Sequence, residues 1–174
     1  MLLDGDAWKS RMRSIQSEAW RLETLPVYRS PGEDGDIRDF LAGQRIDPET
    51  YSSAYTEGLR KLTAEGKRKG RVHVVTRPLT DYLRFEFMYY EAHSRMGDAI
   101  RILDVTDRPN PLEGAPDFWI LDRSTVVLMH YAEDGTQISR ELYEGDPARF
   151  IDYQRVAVAE SVPFGEYVNG GHRA

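Results

Sequence analysis

One stretch of the chain concentrates side chains that could do chemistry: Arg71 to Tyr90, RVHVVTRPLTDYLRFEFMYY. Arg77, Asp81, Arg84 and Glu86 alternate there with Tyr82, Phe85, Phe87, Tyr89 and Tyr90. Arginine presents planar, paired donors that hold carboxylates and phosphates. Tyrosine and tryptophan supply flat walls with a polar edge. The segment therefore predicts one of two things: a pocket for a small anionic ligand, or an amphipathic helix that is wet and salt-bridged on one side. In the pocket, Trp119 adds a ring and Glu23, beside Glu18 and Arg21, adds a carboxylate to pair with Arg77 or Arg84. His130 completes a candidate ligand-binding set of Glu23, Arg77, Asp81, Tyr82, Arg84, Trp119 and His130.

Other familiar chemistry is thinly represented. His73 lies in an apolar run, which predicts a core ring with both nitrogens satisfied. His130, at the end of VVLMHY, is placed to be a base near a strand edge or a cross-strand partner. His93 and His172 read as surface residues. With no His-x3-His or His-Glu-x2-His pair, no metal site is expected. Asp104, Asp107, Asp117 and Asp122 fall near strand ends, where carboxylates can gather a magnesium ion. Aspartate also favours turns because it bonds nearby backbone, and that explanation comes first. No Gly-x-Gly-x2-Gly, P-loop or Gly-x-Ser-x-Gly sequence occurs, so no cofactor is expected and no catalytic residue is assigned.

The elements that would position these residues follow from periodicity. AWKSRMRSIQSEAWRLETL spaces Trp8, Met12, Ile15, Ala19 and Leu22 by threes and fours and predicts one helix. DIRDFLAG predicts a short helix from Asp36 to Gly43. A third helix is expected from Pro48 to Gly66. RVHVVTR is a β-branched strand, and the segment from Pro78 to Gly97 a helix with Leu79, Leu83 and Phe87 toward the sheet. AIRILDV, FWILD, STVVLMHY and TQISREL are further strands, with a tight turn at Asp122 and Arg123. A last helix is capped by Asp146 and runs through VPFGEY, before the loose tail VNGGHRA. A strand, a crossover helix and a strand imply a parallel pair, and the following meander adds antiparallel strands. The expected fold is a single α/β domain (α+β as the alternative): residues 1–70 mainly helical, 71–168 a mixed-sheet core with flanking helices, 169–174 loose.

A chain of 174 residues suits one domain, and no apolar run is long enough to span a bilayer. Cysteine is absent, which excludes disulfides and thiol catalysis and agrees with a cytoplasmic setting, as does an N-terminus without an apolar signal region. The net charge of −6 argues against tight nucleic-acid binding. The one basic run, GKRKGR, is expected to close a helix, where cations favour the C-terminal dipole.

SEAWRLETLPVY, RVHVVTRPLTDYLRFEF, IRILDVTDRP and DFWILDRSTVVLMHYAEDG together resemble an uncharacterised actinobacterial family, described only as a domain of unknown function. The resemblance extends over nearly the whole chain. Its members are often encoded beside helix-turn-helix regulators of the XRE type, which implies a regulator as protein partner. From Arg71 to Phe164 the layout also resembles phospholipase D-like sensor domains. Catalytic members of that superfamily carry His-x-Lys-x4-Asp. Here His73 is followed at those positions by Val75 and Thr80, and His130 by Ala132 and Gln137, so the resemblance implies the fold without the phosphodiesterase chemistry. The function expected is binding without catalysis, either as accessory partner of a DNA-binding regulator or as sensor of a small anionic ligand. The alternative is an enzyme with a polar cleft near Arg77, Arg84 and His130.

Overall fold

The computed structural model describes residues 1–171. Asp4 opens the first helix, α1 (Gly5–Ser14), by accepting from the Ala7 backbone N–H at 2.7 Å. The chain then leaves the helix, and Glu18–Glu23 form a strand, β1, where one long helix was expected. Asp122 explains the change of direction. Its carboxylate accepts from the backbone N–H groups of Gln16, Ser17 and Glu18 at 2.9, 2.7 and 3.0 Å, which draws this segment into the sheet. Asp122 and Arg123 are the central residues of the tight turn between two later strands, both with positive φ (52° and 56°) as a turn of this hand requires.

Helix α2 (Asp34–Leu41) is followed by Gly43. Helix α3 (Ala54–Ala64) begins well after Pro48, because Asp47 first bonds the Glu49 backbone in a turn and Ser53 with Thr56 then forms the capping box. The basic run is divided between two elements. Gly66 ends α3, but Arg68 already belongs to β2 (Arg68–Val75). Thr80 caps α4 (Asp81–Arg95) through the Leu83 N–H at 3.1 Å. Gly97 ends it at φ 103°, where a Cβ would stand 2.6 Å from the Thr63 hydroxyl. Then come β3 (Asp98–Asp104), β4 (Phe118–Leu121), β5 (Thr125–Tyr131) and β6 (Gln137–Leu142). The last helix is shorter than expected. α5 (Ala148–Glu160) stops before Ser161, which accepts two bonds from Arg101, and Val162–Pro163 form an edge strand, β7. A short helix, α6 (Phe164–Asn169), follows, so Val168 and Asn169 are helical where a loose tail was expected. His172 and the end of that tail lie outside the described residues.

One seven-stranded mixed sheet results, in the order β6-β5-β4-β1-β2-β3-β7. β1–β2 and β2–β3 are parallel, the latter pair joined through α4 as expected, and the other pairings are antiparallel. β1, from the part expected to be helical, lies at the centre. Helix α5 covers one face, with Phe150 and Ala157 packed on Trp20, Leu22, Val72, Val74, Phe118 and Ile120. The other face carries two apolar clusters. Helices α2, α4 and α6 form one over Ile100 and Ile102; α1 forms the second over Trp119, Leu121, Val127 and Met129. Phe85, Phe118 and Phe150 are fully buried, each contributing about 1.5–3 kcal/mol through the area it removes from water. No helix among the described residues is long and apolar enough to cross a membrane.

Candidate functional site

Between those two apolar clusters, the middle of the sheet is charged. In parallel register Ala19 lies beside Lys69, Arg21 beside Arg71 and Glu23 beside His73, while Arg21 lies opposite Trp119 of β4. Side chains alternate along a strand, so Arg21, Glu23, Lys69, Arg71, His73 and Trp119 all project from the same face. Above them stand α3 and α4, and a cavity of about 500 Å³ lies between. Tyr55 of α3, Tyr82, Phe85, Glu86, Tyr89 and His93 of α4, and Tyr131 of β5 complete its walls.

The floor is a bonded network. Glu23 pairs with Arg21 at 3.1 Å and Arg71 at 3.3 Å, and Arg71 also reaches Asp98 at 2.9 Å. Arg71 donates to the Tyr55 hydroxyl at 2.6 Å, and that hydroxyl donates to Asp98 at 2.7 Å. Arg21 donates to the Tyr131 hydroxyl at 2.7 Å. Burial disfavours the Glu23 carboxylate, but Arg21 and Arg71 outweigh it and hold its pKa down at about 2. Both arginines are correspondingly held charged despite burial, Arg21 mainly by Glu23 and Arg71 mainly by Asp98. Their Nε atoms are buried without a partner among the described residues. His73 is fully buried, with one ring nitrogen on the Tyr90 hydroxyl at 2.8 Å and the other on the Leu25 carbonyl at 3.0 Å, a satisfied core histidine as expected.

Two groups on this cavity stand outside the network. The Lys69 ammonium sits 4.3 Å from the centre of the Tyr55 ring and 5.3 Å from that of Trp119, within cation–π range of both. It has no hydrogen-bond or ion-pair partner among the described residues. Burial, and then the charge of Arg71, lower its pKa to about 8. The Glu86 carboxyl, on the opposite wall, also lacks a partner among the described residues. Burial, and then the charge of Glu23, raise it to about 7. His93, expected at the surface, is half-buried against Tyr55 with ring centres 4.5 Å apart, and burial lowers it to about 4, so it is neutral.

Of the seven residues singled out from sequence, Glu23, Tyr82 and Trp119 line this cavity. The others lie apart. Arg77 bonds Asp104 at 3.3 Å and Tyr167 at 3.0 Å beyond the C-terminal end of β2. Asp81 and Arg84 form an exposed pair at 3.1 Å, one turn apart on α4. Arg84 borders a second cavity of about 520 Å³ between Phe40, Met88 and Phe164. His130 pairs with Glu141 at 2.9 Å, a cross-strand partner on the α5 face of the sheet. Glu23 thus takes Arg21 and Arg71 as partners instead of the expected Arg77 or Arg84. The acids do not converge: Asp117 is buried against Thr24 and Tyr28, Asp104 holds Arg77, and Asp122 holds the β1 entry. No group of three His, Asp or Glu among the described residues is arranged to hold a metal ion.

Lys69, Arg71, Tyr55 and the role of Glu86 were missed. The signal was present as charge at every second position of a strand, Lys69-x-Arg71-x-His73 and Arg21-x-Glu23. No curated protein matches the chain. A family model does, over residues 6–169, and the chain belongs to the family described as Domain of unknown function (DUF6879).

Proposed function

We propose that this protein binds a small anionic ligand bearing a flat ring, in the cavity between the charged centre of the sheet and α4. The observation that carries this reading is the half-buried Lys69 ammonium. Glu23 and Asp98 are already bonded to Arg21 and Arg71, so among the described residues no carboxylate forms an ion pair with the Lys69 ammonium. A buried, unpaired cation is costly, and an anionic ligand removes that penalty on binding. Tyr82, Tyr89 and Trp119 line the same cavity and give a planar ligand body aromatic walls.

The phospholipase D-like layout resembled by Arg71 to Phe164 fits a non-catalytic sensor. In this proposal a helix-turn-helix regulator in the cytoplasm is the partner that reads occupancy of the cavity. The test is a thermal-shift and calorimetric panel of small carboxylates and phosphates with and without an aromatic ring. Aromatic carboxylates should raise the melting temperature, by an amount equivalent to about 2.7 kcal/mol at a hundredfold excess over Kd. Lys69→Met should lose the effect. No shift with any member of the panel overturns the proposal.

A second reading is enzymatic, and one observation favours it. Lys69 at about 8 and Glu86 at about 7 are two proton-exchanging groups poised near neutral pH on one cavity.

A further inference from the structure

Among the chain's four lysines, Lys69 stands alone in its surroundings. Lys9 and Lys61 are exposed, and Lys67 pairs with Glu65 at 2.9 Å. Lys69 rests between two rings that its cationic neighbours also use. Arg21 lies 5.6 Å from the centre of the Trp119 ring, and Arg71 donates to the Tyr55 hydroxyl. Burial, and then the charges of Arg71 and Arg21, raise the uncharged share of the amine, and an uncharged lysine amine opening on a cavity is a nucleophile. The same cationic charges also attract a carboxylate. The Tyr131 hydroxyl accepts from Arg21, which leaves its own proton for a ligand oxygen.

We propose that Lys69 captures the carbonyl carbon of a small 2-oxo acid as a reversible imine, with the ligand's carboxylate held on the Arg21–Tyr131 side of the cavity. This inference rests on the cavity being the anion site proposed above. The neutral amine's lone pair attacks the carbonyl carbon, the C=O π pair moves to oxygen, and one N–H proton passes to that oxygen to give a neutral carbinolamine. The nitrogen lone pair then forms the C=N bond as the C–O bond breaks, the hydroxyl leaving as water with a proton from Glu86, and the remaining N–H proton returns to Glu86. One amine and one carbonyl become one imine and one water, and no oxidant or reductant is needed. Glu86, which carries a proton for much of the time at neutral pH, is the acid available on the facing wall for the departing hydroxyl. Lowering an amine from 10.5 to about 8 raises its neutral fraction roughly 300-fold near pH 7, partly offset by weaker nucleophilicity.

The experiment incubates the full chain with glyoxylate, pyruvate or phenylpyruvate and sodium cyanoborohydride, then maps the adduct by peptide mass spectrometry. Phenyllactate, the same shape as phenylpyruvate with a hydroxyl in place of the carbonyl, reports binding alone in a parallel thermal shift. The expected result is a reduced adduct on Lys69 at least about tenfold above Lys9, Lys61 and Lys67. It should be absent in Lys69→Arg, whose guanidinium does not form the imine. Binding of phenyllactate with no Lys69 adduct from any of the three acids overturns the imine and leaves the anion site standing. An adduct spread evenly over the four lysines also overturns it. Failure of both assays overturns the imine together with the ligand reading beneath it.

Discussion

Replacing Glu23 by Gln removes one negative charge from between two guanidinium groups and changes almost nothing else in shape. The side chain is nearly fully buried, so solvent screens little of the loss. Its pKa moves from an ordinary 4.5 to about 2, a shift equivalent to about 3 kcal/mol of folding free energy. Breaking a buried pair by removing one partner is independently expected to lose roughly 3–5 kcal/mol, because Arg21 and Arg71 stay behind uncompensated. The two routes agree, and for a domain of this size about 3 kcal/mol lowers the melting temperature by roughly 6–12 °C. The pH dependence has a definite sign. A carboxylate with a depressed folded-state pKa contributes its stability in full above the unfolded value, and loses it as pH falls from about 4.5 to about 2. Urea unfolding of wild type and Glu23→Gln at several pH values between 7 and 3 should therefore show a gap that is widest at neutral pH and narrows below 4.5. A gap under about 1 kcal/mol at pH 7, or one constant down to pH 3, refutes the account of the network.

Arg84→Ala should change stability by no more than about 1 kcal/mol, since its pair with Asp81 is exposed. Arg77→Ala should lose more, roughly 1–3 kcal/mol, because Asp104 and Tyr167 are partly buried partners; thermal melts of the two variants give the order. Lys69→Met should stabilise the ligand-free protein by about 1–2 kcal/mol at pH 7, partial exposure having reduced the full linkage value. The amine's pKa is depressed in the folded state, so this gain should be full below pH 8 and vanish as pH rises to 10.5, which melts across that range check. With net charge −6, and with Lys69 and Arg71 turned toward the cavity under α4 instead of forming an open basic surface, duplex DNA should not shift in a gel at submicromolar protein and physiological salt.

Most of the fold could be read from periodicity because most elements obey one period. β2, β3 and the β4–β5 hairpin are β-branched runs bounded by turn residues, and α4 has a cap, a helical stripe and a terminal glycine. β1 failed for a physical reason. It is buried on both faces, so it shows no clean apolar and polar alternation, and Trp20, Leu22 and Ala19 also fit a helix begun at Trp8. What makes it a strand is Asp122, distant in sequence, which binds three consecutive backbone N–H groups at its entry. β7 failed because two residues carry no period.

The same double burial hid the site. A strand covered on both faces should be apolar throughout, and Arg21, Glu23, Lys69 and Arg71 violate that rule on one face only. Read along the chain, the violation looks like a solvated helix and a basic helix end. Only register turns it into chemistry, by setting Arg21 beside Arg71 and opposite Trp119 and thereby gathering the cations under α4. The aromatic stretch on α4 did point to the cavity, but through the stripe Tyr82, Glu86, Tyr89 and His93 that faces the sheet, and not through its arginines. Arg84 offered the more visible charge because its exposed partner Asp81 lies three residues away, whereas Arg77 reaches Asp104 at the end of the next strand. The Arg71 pairs with Glu23 and Asp98 join residues from separate strands, and only register brings them together. Desolvated charge without a local partner is therefore the feature to seek in such chains: three cations lie on one strand-pair face, two carboxylates pair with Arg21 and Arg71, and Lys69 is left without an ion pair among the described residues.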